Sequence, residues 1–454
     1  MAASVSFFCK ECGYESSKWM GKCPSCNSWN SFEEELVSKS KNSKSKSAKT
    51  GFLEKTEIKK LDEIKVEGTH RVDTGFQELN RVFGSGIVKG SISLIGGEPG
   101  IGKSTLIMQV CSNLARAGKV LYISGEESES QVKLRADRLN VKSENIYFLN
   151  ETNISEIEVK IENLNPDFCI VDSIQTLYDD EIPSTSGSVS QVKEVTARLM
   201  YLSKRKNITM LVIGHVTKDG TVAGPRVLEH MVDTVVYIEG DRFTENRVVR
   251  TVKNRFGSTN EIGIFEMKNE GMVEVKNKSE AFLGTSENLE SGSAIAVTSE
   301  GTSNIFFEVQ ALTAHSYYNL PRRIANGVDF NRLNMIIAVL EKKCNVSLGS
   351  SDIYVSALGG LKVNDPSTDL AIMVAIYSSF KNVVSNKNSL YIGEIGLTGE
   401  IRNTVNIEKK VLEAVRMNYD KIYCSKYDAK KLLSSNKGLP VIGISNVQEL
   451  INNL

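Results

Sequence analysis

Gly97-Glu98-Pro99-Gly100-Ile101-Gly102-Lys103-Ser104 has the spacing G-x-x-x-x-G-K-S, that of a phosphate-binding loop. Its glycines let the backbone curl until several N–H groups point at one anion, and a helix opening at its end adds a positive terminus. Lys103 is placed to reach the β- and γ-phosphates of a nucleoside triphosphate, and the Ser104 hydroxyl to ligate Mg²⁺. The candidate ATP-binding residues are Gly97, Glu98, Pro99, Gly100, Ile101, Gly102, Lys103, Ser104 and Thr105. A second chemistry stands near the N-terminus, where Cys9-x-x-Cys12 and Cys23-x-x-Cys26 form two knuckles ten residues apart. Four thiolates make a tetrahedral site that suits Zn²⁺, and the metal would supply most of the folding energy of so small a unit. Gly13 and Gly21 put tight turns beside the sulfurs, so the module reads as a compact set of turns rather than a long hairpin. Lys10, Lys18, Lys22, Trp19 and Trp29 are equally suited to touching a nucleic acid or protein and to covering the metal.

These groups need elements to hold them. Ser91–Ile95 reads as an apolar strand before the phosphate loop, and Thr105–Val110 opens a helical pattern behind it. Lys119–Ser124 reads as a buried strand leading into Gly125-Glu126-Glu127-Ser128. A carboxylate at that strand end is positioned to polarise an attacking water, with Glu126 the first choice and Glu127 its rival. Asp167–Asp172 is an apolar strand ending in an acid, which makes Asp172 the candidate to hold Mg²⁺ directly or through water. Met210–Gly214 is a further strand and ends in His215, a candidate γ-phosphate sensor. Two polar loops, Asp179–Ser190 and Thr217–Leu228, are rich in small residues, and the second carries Lys218 and Arg226 as candidates for contact with a nucleic-acid backbone. Strands alternating with helices give an α/β core with a mainly parallel sheet.

A length of 454 residues suggests two to four domains. Lys plus Arg equals Asp plus Glu at 55 each, so any nucleic-acid surface must be local. No apolar run is long enough to cross a bilayer, and the N-terminus lacks the basic and apolar regions of a secretory signal. Cys111, Cys169, Cys344 and Cys424 are scattered, which fits a reducing, cytoplasmic setting with one metal site rather than a disulfide framework. Ser38–Lys49 is Ser/Lys-rich without apolar periodicity and reads as a solvated tether.

The phosphate loop, the strand ending Ser124-Gly125-Glu126-Glu127-Ser128, the strand ending Val171-Asp172-Ser173 and the strand ending Gly214-His215 resemble the RecA/DnaB ATPase core. Lys253-Asn254-Arg255-Phe256-Gly257 resembles the signature of the bacterial RadA/Sms recombination proteins. The four-cysteine module and the C-terminal segment match that family in order, so the resemblance covers nearly the whole chain. It implies an α/β fold in four parts. These are a four-cysteine zinc finger over 1–32, a linker over 33–60, a RecA-like P-loop ATPase core over 61–280, and an α+β Lon-protease-like domain over 281–454. It also implies a homo-hexamer in which Lys253 and Arg255 enter the neighbouring subunit's site. The two are alternate residues following the strand-like Arg247–Val252 and so point the same way. The implied activity is DNA-dependent ATP hydrolysis, driving movement on single-stranded and branched DNA and branch migration of intermediates made by the RecA recombinase. Without the resemblance, the pentapeptide is a basic turn.

In the C-terminal segment, Gly292–Val297 and Ile305–Leu312 read as strands, and Asn331–Lys343 and Ser367–Tyr377 as helices. Gly393–Ile401 and Asp352–Val355, the latter followed by Gly359-Gly360, resemble Lon-type proteases. Such a protease needs a serine activated by a lysine. An ungapped match puts Glu408 in the lysine's place, and Lys409 and Lys410, one and two residues on, are expected to point elsewhere. Ser367 falls near the nucleophile's place but reads as a helix cap, with Asp369 where a glycine is usual. The domain is therefore expected to be proteolytically inactive and to serve ring assembly and DNA contact, with Arg322, Arg323, Lys342, Lys343, Lys381 and Arg402 as dispersed cations. Two alternatives stand beside the DNA motor: an ATP-dependent Lon-like protease, and a nucleotide-switched assembly protein resembling the circadian-clock relatives of this ATPase fold.

Overall fold

The apolar runs flanking the candidate residues do become adjacent strands. In the computed structural model, which describes residues 4–9, 14–24, 27–37, 60, 70–215, 225–240, 245–259, 261–275, 282–283, 290–301, 303–318, 320–385, 388–435 and 438–454, one nine-stranded sheet holds most of them. Its order is Gly271–Glu274, Ile262–Lys268, Asn246–Asn254, Thr234–Glu239, Ile92–Gly97, Thr209–Ile213, Phe168–Asp172, Val120–Ser124 and Ile146–Asn150. The six strands from Thr234–Glu239 to Ile146–Asn150 are parallel. Val120–Ser124, Phe168–Asp172 and Thr209–Ile213 are buried at every position. Near-continuous apolar strands of this kind are stable only when helices cover both faces of a parallel sheet. Ile123, Val171 and Val212 from the strands pack in one core with Ile157 of the helix Ile154–Leu164 and Leu199 of Val189–Lys206. Asn153 and Ser188 cap those two helices by accepting from Ser155 N and Gln191 N.

Register decides what this sheet can do. Ser124 pairs with Asp172, Val212 with Val171, and Ile213 with Ile95. The strands carrying the phosphate loop, Glu126, Asp172 and His215 therefore finish side by side at their C-terminal ends. That edge is where ligands bind in open α/β sheets.

The chain divides into two compact units, one of 1–239, 249–259 and 267–274, the other of 240–248, 260–266 and 275–454. The second is built on a mixed seven-stranded sheet, in the order Arg323–Asn326, Ser351–Ala357, Ser303–His315, Ser293–Glu300, Ser389–Tyr391, Lys421–Ser425 and Val441–Ile444. The helix Asp369–Lys381 packs on Ser293–Glu300 and Ser303–His315. Leu370 to Ile376 are buried without a break, as expected of a helix apolar all round its circumference. The helix expected from Ser367 is two pieces, a 3₁₀ turn over Pro366–Thr368 and then the α-helix.

At the N-terminus, Ser4–Cys9 pairs antiparallel with Phe32–Val37 over six residues and with Glu15–Ser16 on its other side. A compact set of turns rather than a long hairpin was expected; the structure adds this clasp, in which Cys9 pairs with Phe32 and the module's two ends are sewn together. The tether Ser38–Lys49 lies outside the described residues.

Candidate active site

Gly97 ends its strand at φ 151°, where a Cβ would sit 2.7 Å from the Ile238 carbonyl oxygen. Gly102, at φ 113°, stands before the helix Lys103–Ala117, whose first turn has no side-chain cap. Its leading N–H groups are thus left to an anion. Lys103 is 3 % exposed, and its Nζ donates to the carbonyls of Gly97 at 2.8 Å and Glu98 at 3.0 Å. Burial pushes the Lys103 ammonium down to about 8, against the pull of Asp172 and Glu126. Phosphate oxygens entering the loop would replace those carbonyls and favour the charged ammonium.

Asp172 is the last residue of its strand and is 6 % exposed. Its Oδ2 accepts from the Tyr122 hydroxyl at 2.6 Å and lies 4.0 Å from Arg135 Nη1. One carboxylate oxygen is thus held from the neighbouring strand, a preset orientation for a metal ligand. Glu126 stands two residues beyond the end of Val120–Ser124. Its Oε1 accepts from the Ser173 hydroxyl and faces His215 Nε2 at 3.2 Å. The His215 hydrogen bond first, and then that of Ser173, hold the Glu126 carboxyl down to about 2 although burial opposes them. Among the described residues His215 Nδ1 is buried without a hydrogen-bond partner. Glu127, the rival base, turns to a salt bridge with Arg135.

Lys103, Asp172, Glu126 and His215 thus meet at one edge. Lys253 and Arg255 do not join them. Lys253 Nζ donates to the carbonyls of Glu229 at 2.7 Å and His230 at 3.1 Å. Arg255 lies one residue past its strand, half exposed, with Nη1 3.8 Å from Asp233 Oδ1. Asn254 between them is buried and donates to the Phe83 carbonyl at 3.2 Å.

Lys218 and the side chain of Arg226 lie outside the described residues, as do Cys12 and Cys26. Asp179–Ser190 is described, and it contains no cation but three acids, Asp179, Asp180 and Glu181. Gln191 fills this loop, its Nε2 donating to the carbonyls of Asp179, Ile182 and Ser184 and its Oε1 accepting from Asp179 N. Cys9 and Cys23 are both fully buried in one cluster with Phe32. Cys9 N donates to Tyr14 O and Cys23 N to Ser28 O, each at 2.9 Å. Two sheltered sulfurs in one cluster fit a thiolate-held metal ion. Trp19 and Trp29 are 56 % and 71 % exposed, so neither is sealed over that cluster.

The C-terminal unit corrects one expectation. Lys410, not Glu408, faces Ser367, with Nζ 2.5 Å from the serine Oγ and 2.7 Å from Asp365 Oδ2. Glu408 is on the surface and pairs with Lys431 at 2.9 Å. The helix opens at Ile407 after Asn406 at φ 57°, a start that turns Lys410 inward with Ile407, Val411 and Ala414. Nor does Ser367 cap the turn, because Asp365 does, accepting from Ser367 N at 2.9 Å. Asp369 is a buried anchor, paired with Arg332 and accepting from Ile395 N at 2.9 Å.

Sequence reasoning missed Ser173, Tyr122, Arg135, Asp365 and Lys410. Ser173 was visible as the polar residue after Asp172, and Lys410 shares a helical stripe with Ile407, Val411 and Ala414; Tyr122, Arg135 and Asp365 are joined to their partners only by the fold.

Comparison with known proteins gives three family models. They are an AAA domain over residues 59–221, a rubredoxin metal binding domain over 7–34, and subunit ChlI of Mg-chelatase over 329–428. A DNA repair protein RadA from Streptococcus pyogenes serotype M1 is 48 % identical over 449 residues, 99 % of this chain and 98 % of the relative. A DNA repair protein RadA from Listeria monocytogenes is 47 % identical over 99 % of this chain and 97 % of its own. One from Bacillus subtilis is 46 % identical over 98 % and 97 %. Among solved structures, a KaiC-like protein from Pyrococcus horikoshii aligns with 46 % of this chain and all of its own at 17 % identity, with a TM-score of 0.38.

Proposed function

From the premise that the chain belongs to the RadA family of DNA repair proteins, we propose that its ATPase domain is a motor that moves on single-stranded DNA and promotes branch migration of recombination intermediates. The observation that carries this reading is the meeting of Lys103, Asp172, Glu126 and His215 at one sheet edge. Lys103 binds the phosphates, and Glu126 takes a proton from the attacking water as its oxygen bonds to the γ-phosphorus and the bond to the departing ADP breaks. Ser104 and Asp172 are the residues that would hold Mg²⁺, which when bound neutralises charge on the phosphates. Lys253 and Arg255 act from the neighbouring copy of a homo-hexamer, and Lys218 and Arg226 contact DNA. Cys9, Cys12, Cys23 and Cys26 hold a structural Zn²⁺, a reading supported by the metal-binding family model that spans them. The setting is cytoplasmic and the partner enzyme is RecA; no described helix is long and apolar enough to cross a membrane.

Steady-state ATP hydrolysis with and without single-stranded DNA, beside Lys103→Ala as the blank, tests the reading. Stimulation by DNA is expected. Hydrolysis indifferent to DNA would favour the nucleotide-switched assembly protein.

The Ser367–Lys410 contact favours a second reading, a serine–lysine hydrolase in the C-terminal unit. Against it, Asp365 ties Lys410 Nζ into a salt bridge at 2.7 Å, and Ser367 and Lys410 are 2 % and 1 % exposed, closed to a polypeptide substrate. Casein should therefore survive incubation with the wild-type protein; cleavage lost on Ser367→Ala would reinstate the protease.

A further inference from the structure

Ser173 stands where a serine ordinarily caps a turn. It precedes the 3₁₀ turn Ile174–Thr176, at φ −116° and ψ 165°, yet its side chain makes no capping bond. A serine in that position normally accepts a hydrogen bond from the turn's own N–H groups. Here the turn is closed by other means. Thr176 Oγ1 donates to the Ser173 carbonyl at 2.8 Å, and Thr176 N to the same oxygen at 3.3 Å. The Ser186 hydroxyl clamps the turn from the loop side, lying 3.0 Å from the carbonyl oxygens of both Gln175 and Thr176. The Ser173 backbone is thus fixed without its hydroxyl. That hydroxyl is fully buried and donates to Glu126 Oε1.

Glu126 is fixed from its own backbone as well. Gly125 N donates to the Asp172 carbonyl at 3.0 Å, so the residues just before Glu126 and Ser173 are joined directly. Both side-chain donors to Glu126, Ser173 Oγ and His215 Nε2, share Oε1. Among the described residues no hydrogen bond falls on Oε2. A carboxylate held by one oxygen presents the other in a set direction, which is what a base needs to take a proton from a water aimed at phosphorus.

We propose that Ser173 is a positioning residue for ATP hydrolysis: its buried hydroxyl, released from capping by Thr176 and Ser186, holds Glu126 Oε1 so that Oε2 faces the attacking water. This rests on Glu126 being the base. Ser173 touches neither nucleotide nor water in this account, and its effect runs through Glu126 alone.

The test is a set of substitutions in the full-length protein, read by steady-state kinetics and by fluorescent ADP binding. Ser173→Ala should lower kcat by about 100-fold, the scale of a misplaced catalytic group, with KM for ATP and ADP affinity within about twofold. Ser173→Thr and Ser173→Val are nearly isosteric and both add a methyl group at a fully buried site. Any cost of packing falls on both, whereas only threonine keeps the hydroxyl. Threonine should therefore retain most of kcat and valine should match alanine. Equal kcat for the threonine and valine proteins, or an unchanged kcat for Ser173→Ala, overturns the proposal. A wild-type rate no higher than that of Lys103→Ala would instead overturn the ATPase reading, and the role of Ser173 with it. A full wild-type rate in Glu126→Gln would leave hydrolysis standing and remove only the base on which Ser173 acts.

Discussion

At the residue scale, two adjacent acids separate by what they touch. Glu126 and Glu127 follow the same strand and are alike in sequence. Arg135, eight residues further on, takes Glu127 into a salt bridge, while Glu126 remains with Ser173, His215 and the field of Lys103. Glu126→Gln should lower kcat by about 10²–10⁴, the usual worth of a general base, with nucleotide binding retained. Glu127→Gln should leave kcat within a few-fold and cost at most about 1 kcal/mol of stability, because its pair with Arg135 is partly exposed. Equilibrium binding of a fluorescent nucleotide together with single-turnover hydrolysis distinguishes the two. The reverse pattern would move the base to Glu127. Lys103→Ala should nearly abolish turnover, since it removes the buried cation at the phosphate loop. Much of this site was legible because the motif residues sit at strand ends, where spacing and apolar runs announce them. Tyr122 and Arg135 were not, since their link to Asp172 depends on a neighbouring strand and on the helix Glu129–Arg138, both distant from it in sequence.

At the element scale, the parallel sheet could be read from its apolar runs because a strand buried on both faces leaves little choice of residue. The C-terminal helix Ile407–Arg416 was misread for a physical reason. An ungapped match fixes residue count, whereas the helix start, set by Asn406 in the left-handed region, fixes which side chains face in. The signal was present: Ile407, Lys410, Val411 and Ala414 have the i, i+3, i+4, i+7 spacing of one buried face. A lysine on that stripe needs a partner, and Asp365 supplies it. Lys410→Met should cost about 3 kcal/mol in urea unfolding, because Asp365 keeps a partly buried charge without its ion pair. Asp365→Asn added to Lys410→Met should recover part of that loss, since the stranded charge goes too. A double variant as unstable as the sum of the singles would deny the coupling. Acid tests the same pair. Burial pushes the Asp365 carboxyl up, but the Lys410 ammonium and the hydrogen bonds from Lys410 and Ser367 bring it below its ordinary value of 3.8. A carboxylate lowered on folding stabilises above its unfolded value, and the contribution fades as pH falls through the folded one. The wild-type advantage over Asp365→Asn should therefore hold at neutral pH and shrink below about pH 4.

At the scale of the whole molecule, Lys253 and Arg255 decide whether one chain suffices. Within the chain they are engaged by Glu229, His230 and Asp233, and none of these partners belongs to the phosphate loop. Neither contact is strong enough to hold its cation against a phosphate. Arg255 is half exposed at 3.8 Å from Asp233, a pair worth about 1 kcal/mol or less. Lys253 is bound only to neutral carbonyls, and its ammonium is lowered first by burial and then by Arg255. A nearby anion would relieve both. If that anion is the γ-phosphate held by the next copy, Arg255→Ala and Glu126→Gln damage opposite sides of one interface. Each pure protein should be inactive. In a ring mixed at equal amounts, an interface with an intact Glu126 on one side and an intact Arg255 on the other forms in about one quarter of cases, because each partner is drawn independently. ATP hydrolysis near that fraction of wild type is the expected result, with energy transfer between labelled subunits showing that mixing occurred. Mixed assemblies that form yet stay inactive would mean that Glu126 and Arg255 of one chain serve that chain's own site, and the cation would then have to swing away from Asp233 to reach it.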